Sequence, residues 1–222
     1  NTHLIVSVID EITHHPVTLD AVEDIIGPDI MVHGSVLFIK EAGDPGFVSW
    51  HQDATYMGLE PHDGITAWLA LSPSTRESGC MSMLPGTHRD PIRDHKDTFG
   101  ENNILTRGQA IDVGEDVEAV DLVLRPGQMS LHHPRVIHAS QPNASDHRRI
   151  GVVIQQYLPH HVRQIRGQGL VQCGRGAAVP SHYIEMPRPQ ADMEPDGIAW
   201  RERVNGVWSD ILYDNADQKR AY

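Results

Sequence analysis

The chain has 222 residues, with 18 Lys plus Arg against 30 Asp plus Glu, 15 His and a formal net charge of −12 at pH 7. That length fits one domain with its own core, and 39% hydrophobic against 22% charged residues excludes a disordered or fibrous chain. The acidic balance argues against nucleic-acid binding, no apolar run approaches a membrane span, and two distant cysteines, Cys80 and Cys173, exclude a disulfide scaffold and point to a reducing, cytoplasmic compartment.

The sequence opens NTHLIVSVIDE, with no Met, no basic region and no cleavage site. It starts inside an apolar run, so further residues are expected upstream. VTLDAVEDIIG (17–27) predicts a helix: Leu19, Val22, Ile25 and Ile26 form one stripe, Thr18 can cap it and Gly27 can end it. MVHGSVLFIK (31–40) switches to the apolar, β-branched composition of a strand. After the loop EAGDPG, six further candidate strands follow: FVSWHQD, DGITAWLALS, GCMSMLPG, AVDLVLRPG, GQMSLHH and IGVVIQQYLP. Short strands with turn residues between them predict a sandwich or barrel, not βαβ units. The polar stretch 88–118 reads as an insertion, a lid or a solvated loop. From about 160 a Gly- and Pro-rich C-terminal extension reads as irregular. It closes on a helix carrying Val204, Val207, Trp208, Ile211 and Leu212, which Asn205-Gly206 weakens.

The chemistry concentrates in SWHQDATY. Residues i and i+2 of a strand share a face, so His51 and Asp53 would project together as mixed N/O metal ligands. A third ligand can come from LRPGQMSLHHPRVIHASQPNASDHRRIG, which offers His132, His133 and His138. Pro134 disfavours the first two as strand-centre positions. If the polar turn after His138 closes an antiparallel hairpin, His138 faces the Arg148–Arg149 pair, and strand parity does not choose between these arginines. Two His and one carboxylate form the facial triad of non-heme Fe(II) oxygenases. A nearby guanidinium suits the distal carboxylate of a chelating 2-oxo acid, and the Ser140 hydroxyl could add a donor. His62, His88 and His95 read as loop residues near an opening.

The strings HQD…TAWLALSPSTRESGCMSMLPGTHR and LRPGQMSLHHPRVIHASQPNASDHRRIG resemble the phytanoyl-CoA dioxygenase family, in its bacterial branch, over about residues 30 to 165. The resemblance implies a mainly β, double-stranded β-helix (a jelly roll, cupin-like) with flanking α-helices, and a single oxygenase domain over 1–222. It implies Fe(II) held by His51, Asp53 and His138, with 2-oxoglutarate and O2 as co-substrates. It selects Arg149 as the 2-oxoglutarate arginine, sets Trp68 in the co-substrate pocket and puts Lys40 near its mouth. Related halogenases replace the carboxylate with a small residue, so Asp53 favours hydroxylation of a small or medium organic molecule, releasing succinate and CO2. Desaturation, epimerisation and cyclisation use the same site and stay open, as does a metal-binding module without turnover. The sequence carries no statement of oligomeric state.

Overall fold

A computed structural model describes residues 1–114 and 117–220. Helices α1 (Ser7–Thr13) and α2 (Pro16–Ile26) lead into β1 (Ile30–Val32), β2 (Ser35–Lys40) and β3 (Val48–His51). The short α3 (Ala54–Met57) follows, then β4 (Leu59–Glu60), β5 (Ile65–Ala70) and β6 (Met81–Met83). Next come β7 (Lys96–Asp97), β8 (Gln109–Ala110), β9 (Val120–Leu122), β10 (Met129–His132), β11 (His138–Ser140) and the long β12 (Arg149–Pro159). Strands β13 (Arg163–Gln164), β14 (Leu170–Arg175) and β15 (Ile184–Glu185) precede α4 (Pro195–Leu212).

Two sheets face one another in a jelly roll. The larger runs β10-β5-β12-β1-β14-β15, with β2 also on β12; the smaller runs β3-β11-β6-β9. β12 is the spine because RIGVVIQQYLP is β-branched and apolar on both faces, as a strand covered on both sides must be. Its Val152 and Ile154 point outward, where they meet Ile9, Leu19 and Val22 of α1 and α2. Its Val153 points inward, with Trp68, Met81 and Met83, into the space between the sheets. Each such buried side chain contributes roughly 1.5–3 kcal/mol.

Several elements differ from the sequence expectation. Residues 30–40 make two strands, because β12 bulges: Gln156 has φ of 82° and the register shifts between Ile154 and Tyr157. The break at His33–Gly34 follows that bulge, with His33 N–H donating to Gln156 O and Gln155 N–H to Gly34 O. His15, not Thr18, caps α2, and Ile25 is exposed, so the buried stripe is narrower than predicted. The extension after 160 supplies β14, inserted between β1 and β15, and α4 runs through Asn205-Gly206 from Pro195. The 88–118 stretch, of which 115–116 lie outside the described residues, runs beside β3: Ile111 N–H donates to Trp50 O and Ser49 Oγ donates to Gln109 O. No helix among the described residues is long and apolar enough to cross a membrane.

Candidate active site

His51 ends β3 and His138 opens β11, and the two are direct partners across the antiparallel ladder. Directly opposed residues share a face, so both imidazoles enter the space between the sheets, their ring centroids 4.1 Å apart. Asp53 arrives differently from the expectation. The strand stops at His51, and Asp53 takes a right-handed helical backbone (φ −56°, ψ −37°) at the start of α3. The turn, not strand alternation, returns its carboxylate to the same spot. Asp53 Oδ1 lies 3.3 Å from His51 Nε2 and 3.8 Å from His138 Nε2. One donor atom from each of the three residues lies within 4.8 Å of the others.

Both imidazoles are aimed by the backbone. His51 Nδ1 is 2.9 Å from Ser49 O, and His138 Nδ1 is 3.0 Å from Val136 O. A carbonyl only accepts, so each Nδ1 carries the proton and each Nε2 presents a lone pair, the arrangement that orients a metal-ligating histidine. Burial, then the neighbouring His51, lowers the His138 pKa to about 3, which keeps that ring neutral. For Asp53 burial alone would raise the pKa, but the His138 and His51 rings outweigh it and hold the carboxyl well below the usual range. Thr66 Oγ1 steadies the other carboxylate oxygen at 3.2 Å and itself accepts from Gln156 Nε2 at 3.0 Å. Two imidazoles and one carboxylate gathered at a common point are an iron donor set.

The triad lies on a cavity of about 630 Å³, counting its opening, with Trp68, Arg149, Ser140, Phe38, Val153 and Leu105 among its walls. Leu105 comes from the 88–118 stretch. From the same stretch, half-buried His95 accepts from Gln52 N–H at 3.0 Å, next to the triad turn. His88 meets His133 at the surface, with ring centroids 5.7 Å apart.

Arg149 is 1% exposed, and its Nε, Nη1 and Nη2 are all buried without a hydrogen-bond partner. It stands over Trp68 and Phe38, 5.3 Å and 6.0 Å from their ring centroids. Burial draws its pKa down to about 10, and the group stays a cation at neutral pH. A buried cation with five idle donors costs free energy until an anion meets it, so this residue fits the carboxylate of a 2-oxo acid. Arg148 points outward to Glu41, with Nε to Oε2 at 2.8 Å. The expected hairpin does not exist: β11 belongs to the small sheet and β12 to the large one, so His138 and Arg149 meet across the sandwich.

Arg149 pairs across the ladder with Lys40, which lies beneath the pocket and not at its mouth. Lys40 is fully buried and donates to Ser140 Oγ at 2.8 Å and to the carbonyls of Ser140 and Gln141. Ser140 therefore accepts from Lys40 and keeps its own proton for a ligand. Burial, then Arg149, lowers the Lys40 pKa to about 7. An anion bound beside the pair favours the protonated amine, so above pH 7 it must bring a proton with it. Isothermal titration is expected to show 2-oxoglutarate affinity falling from pH 7 to 9, and Lys40→Met is expected to flatten that slope.

Trp68 depends on Gly151. A Cβ built on Gly151 would lie 2.2 Å from the Trp68 indole, so glycine is what lets the ring pack against β12 beside the guanidinium. Gly151→Ala is expected to cost about 1–3 kcal/mol in urea unfolding through overpacking, and to weaken 2-oxoglutarate binding by tilting Trp68. Unchanged binding would detach Trp68 from the pocket's function.

Residues 4–151 match the family described as Phytanoyl-CoA dioxygenase (PhyH). The chain belongs to that family. Membership classes it with the Fe(II)- and 2-oxoglutarate-dependent oxygenases, which are oxidoreductases. A Stutzerimonas stutzeri relative named "Probable alpha-ketoglutarate-dependent hypophosphite dioxygenase" is 30% identical over 84% of the chain and 68% of its own length. The 1-deoxypentalenic acid 11-beta-hydroxylase of Streptomyces arenae is also 30% identical, over 61% of the chain, which spans only 51% of that relative. Among solved structures, an apo form of the non-heme monooxygenase ThoJ superposes with a TM-score of 0.83 and 31% identity, over 95% of this chain and 77% of ThoJ.

Proposed function

We propose that this phytanoyl-CoA dioxygenase family member hydroxylates an unactivated C–H bond of a small or medium organic molecule in the cytoplasm. His51, Asp53 and His138 hold Fe(II), and Arg149 clamps the distal carboxylate of 2-oxoglutarate. The observation that carries this reading is the unpartnered, buried guanidinium facing a three-donor cluster across one cavity. A module that only stored metal has no use for a second, buried anion site.

When bound, iron, 2-oxoglutarate and O2 supply the oxidation, with succinate and CO2 released. The chain's own work is positional. The carbonyls of Ser49 and Val136 hold the Nδ1 protons, leaving both Nε2 atoms free. Thr66 fixes Asp53, and Lys40 keeps Ser140 a donor beside Arg149. Trp68, Phe38 and Val153 exclude water, which strengthens every charge interaction within the cavity. Two free cysteines suit a reducing compartment.

The deciding experiment loads the protein with Fe(II) without oxygen, adds 2-oxoglutarate and O2, and measures succinate. Slow release without substrate, accelerated by a turned-over molecule, is the expected result. No succinate with any of a wide panel of organic molecules would end the enzymatic reading.

A further inference from the structure

Among the described residues lining the cavity, Arg149 and His132 are the two whose every side-chain nitrogen is itself fully buried and lacks a hydrogen-bond partner. The reading above uses Arg149 and leaves His132 unexplained. His132 is 7% exposed, closes β10, and pairs directly with Thr66 of β5. The Arg149 end of the inner face lies three same-face steps away: Thr66 lies one step before Trp68, Trp68 pairs with Val153, and Arg149 lies two steps before Val153 on the same strand. His132 therefore lies at the end of the cavity opposite the clamp, with its ring centroid 5.1 Å from that of His138. It is not one of the three clustered donors.

No neighbour is bonded to it. Thr66, directly opposite, already donates to Asp53 and accepts from Gln156. The cavity wall is otherwise mostly apolar; its polar side chains, Gln155 and Ser140 among them, make no hydrogen bond to the ring. A neutral imidazole has one donor and one acceptor, and both are idle in a mostly apolar cavity. Such a buried group is costly to leave unmatched, so a ligand that pairs with it is preferred over one that does not.

Resting on the proposed function, we infer that His132 determines specificity by hydrogen-bonding a hydroxyl of the substrate, so that the substrate is an otherwise apolar alcohol whose hydroxyl lies near the oxidised carbon. A hydroxyl donates and accepts at a single atom, which matches what the ring lacks. A ketone or ether answers only the donor, and a hydrocarbon answers neither.

The test uses protein loaded with Zn(II) in place of Fe(II), plus 2-oxoglutarate, so that binding is read without turnover. Cyclohexanol, cyclohexanone and chlorocyclohexane are titrated by ligand-observed NMR, and 2-oxoglutarate binding is measured separately by calorimetry. The wild type is expected to prefer cyclohexanol to chlorocyclohexane by at least about tenfold, the worth of one net hydrogen bond, with cyclohexanone between them. His132→Phe keeps the ring volume and is expected to bring the preference within about twofold while 2-oxoglutarate affinity holds. His132→Gln keeps a donor and an acceptor and should restore part of the preference. Equal binding of the three probes by the wild type, or none by any, overturns the inference and assigns His132 to an ordered water. So does a preference that survives in His132→Phe. Absent 2-oxoglutarate binding in the wild type overturns the function reading first, and this inference with it.

Discussion

Asp53→Ala is expected to abolish Fe(II)-dependent succinate formation, by well over 100-fold, in a protein that still folds. Outer partners of metal ligands already cost 10–100-fold when removed, and a direct donor should cost more. Asp53 is the only anion of the donor set, so its loss leaves two neutral imidazoles to hold a dication. Folding should survive because Thr66 keeps its bond from Gln156, and the turn before α3 is held by backbone bonds such as Tyr56 N–H to Asp53 O. The check pairs succinate yield with iron content after desalting. Both should fall together, and His138→Ala should behave likewise. Full activity in either variant would move the metal elsewhere.

Arg149→Met is expected to have opposite effects on stability and function. The fold itself supplies no partner for any nitrogen of the buried wild-type guanidinium. Replacing an unsatisfied buried cation by an apolar chain of similar length removes a cost of about 1–3 kcal/mol. For a chain of this size that is a melting temperature higher by roughly 2–10 °C. The same variant loses the clamp, and removing one partner of a desolvated charge pair costs about 2–5 kcal/mol of binding. The 2-oxoglutarate concentration for half-maximal rate should therefore rise by ~30-fold or more, and 2-oxoglutarate should no longer raise the melting temperature. Arg148→Ala is the control: an exposed pair with Glu41 contributes under about 1 kcal/mol. A raised requirement in Arg148→Ala with none in Arg149→Met would reverse the assignment.

What the sequence revealed of this site follows from how local each signal was. His51 and Asp53 were legible because two residues cannot separate far, although strand alternation was the wrong mechanism: the strand ends and a helical turn delivers the carboxylate. His138 was placed by motif, while its partnership with His51 across 87 residues depends on sheet order, which no local pattern encodes. The hairpin that would set His138 opposite the Arg148–Arg149 pair does not form, because residues 141–148 cross between sheets, and the family resemblance alone selects Arg149. The resemblance puts Lys40 near the pocket mouth, and nothing nearby in sequence shows that residues 140–141 wrap it from the other sheet. β14 was hidden because LVQCGR mixes Gln and Gly into a strand whose edges are both covered only in the folded chain. His132 stands in the sequence only as a candidate third ligand that Pro134 disfavours, and the missing partners on both nitrogens set it apart.

The acceptors that fix the His51 and His138 tautomers are main-chain carbonyls, not side chains. Every amino acid, proline included, brings the same oxygen. Positions 49 and 136 are thus released from selection by the metal, and mutational drift there cannot rotate the protons on the rings. In many metal sites an acidic residue does this job and must be inherited together with the histidines. Here the two-residue spacing does it, so a lineage can recolour the cavity walls for new molecules while the iron-binding geometry is passed on intact.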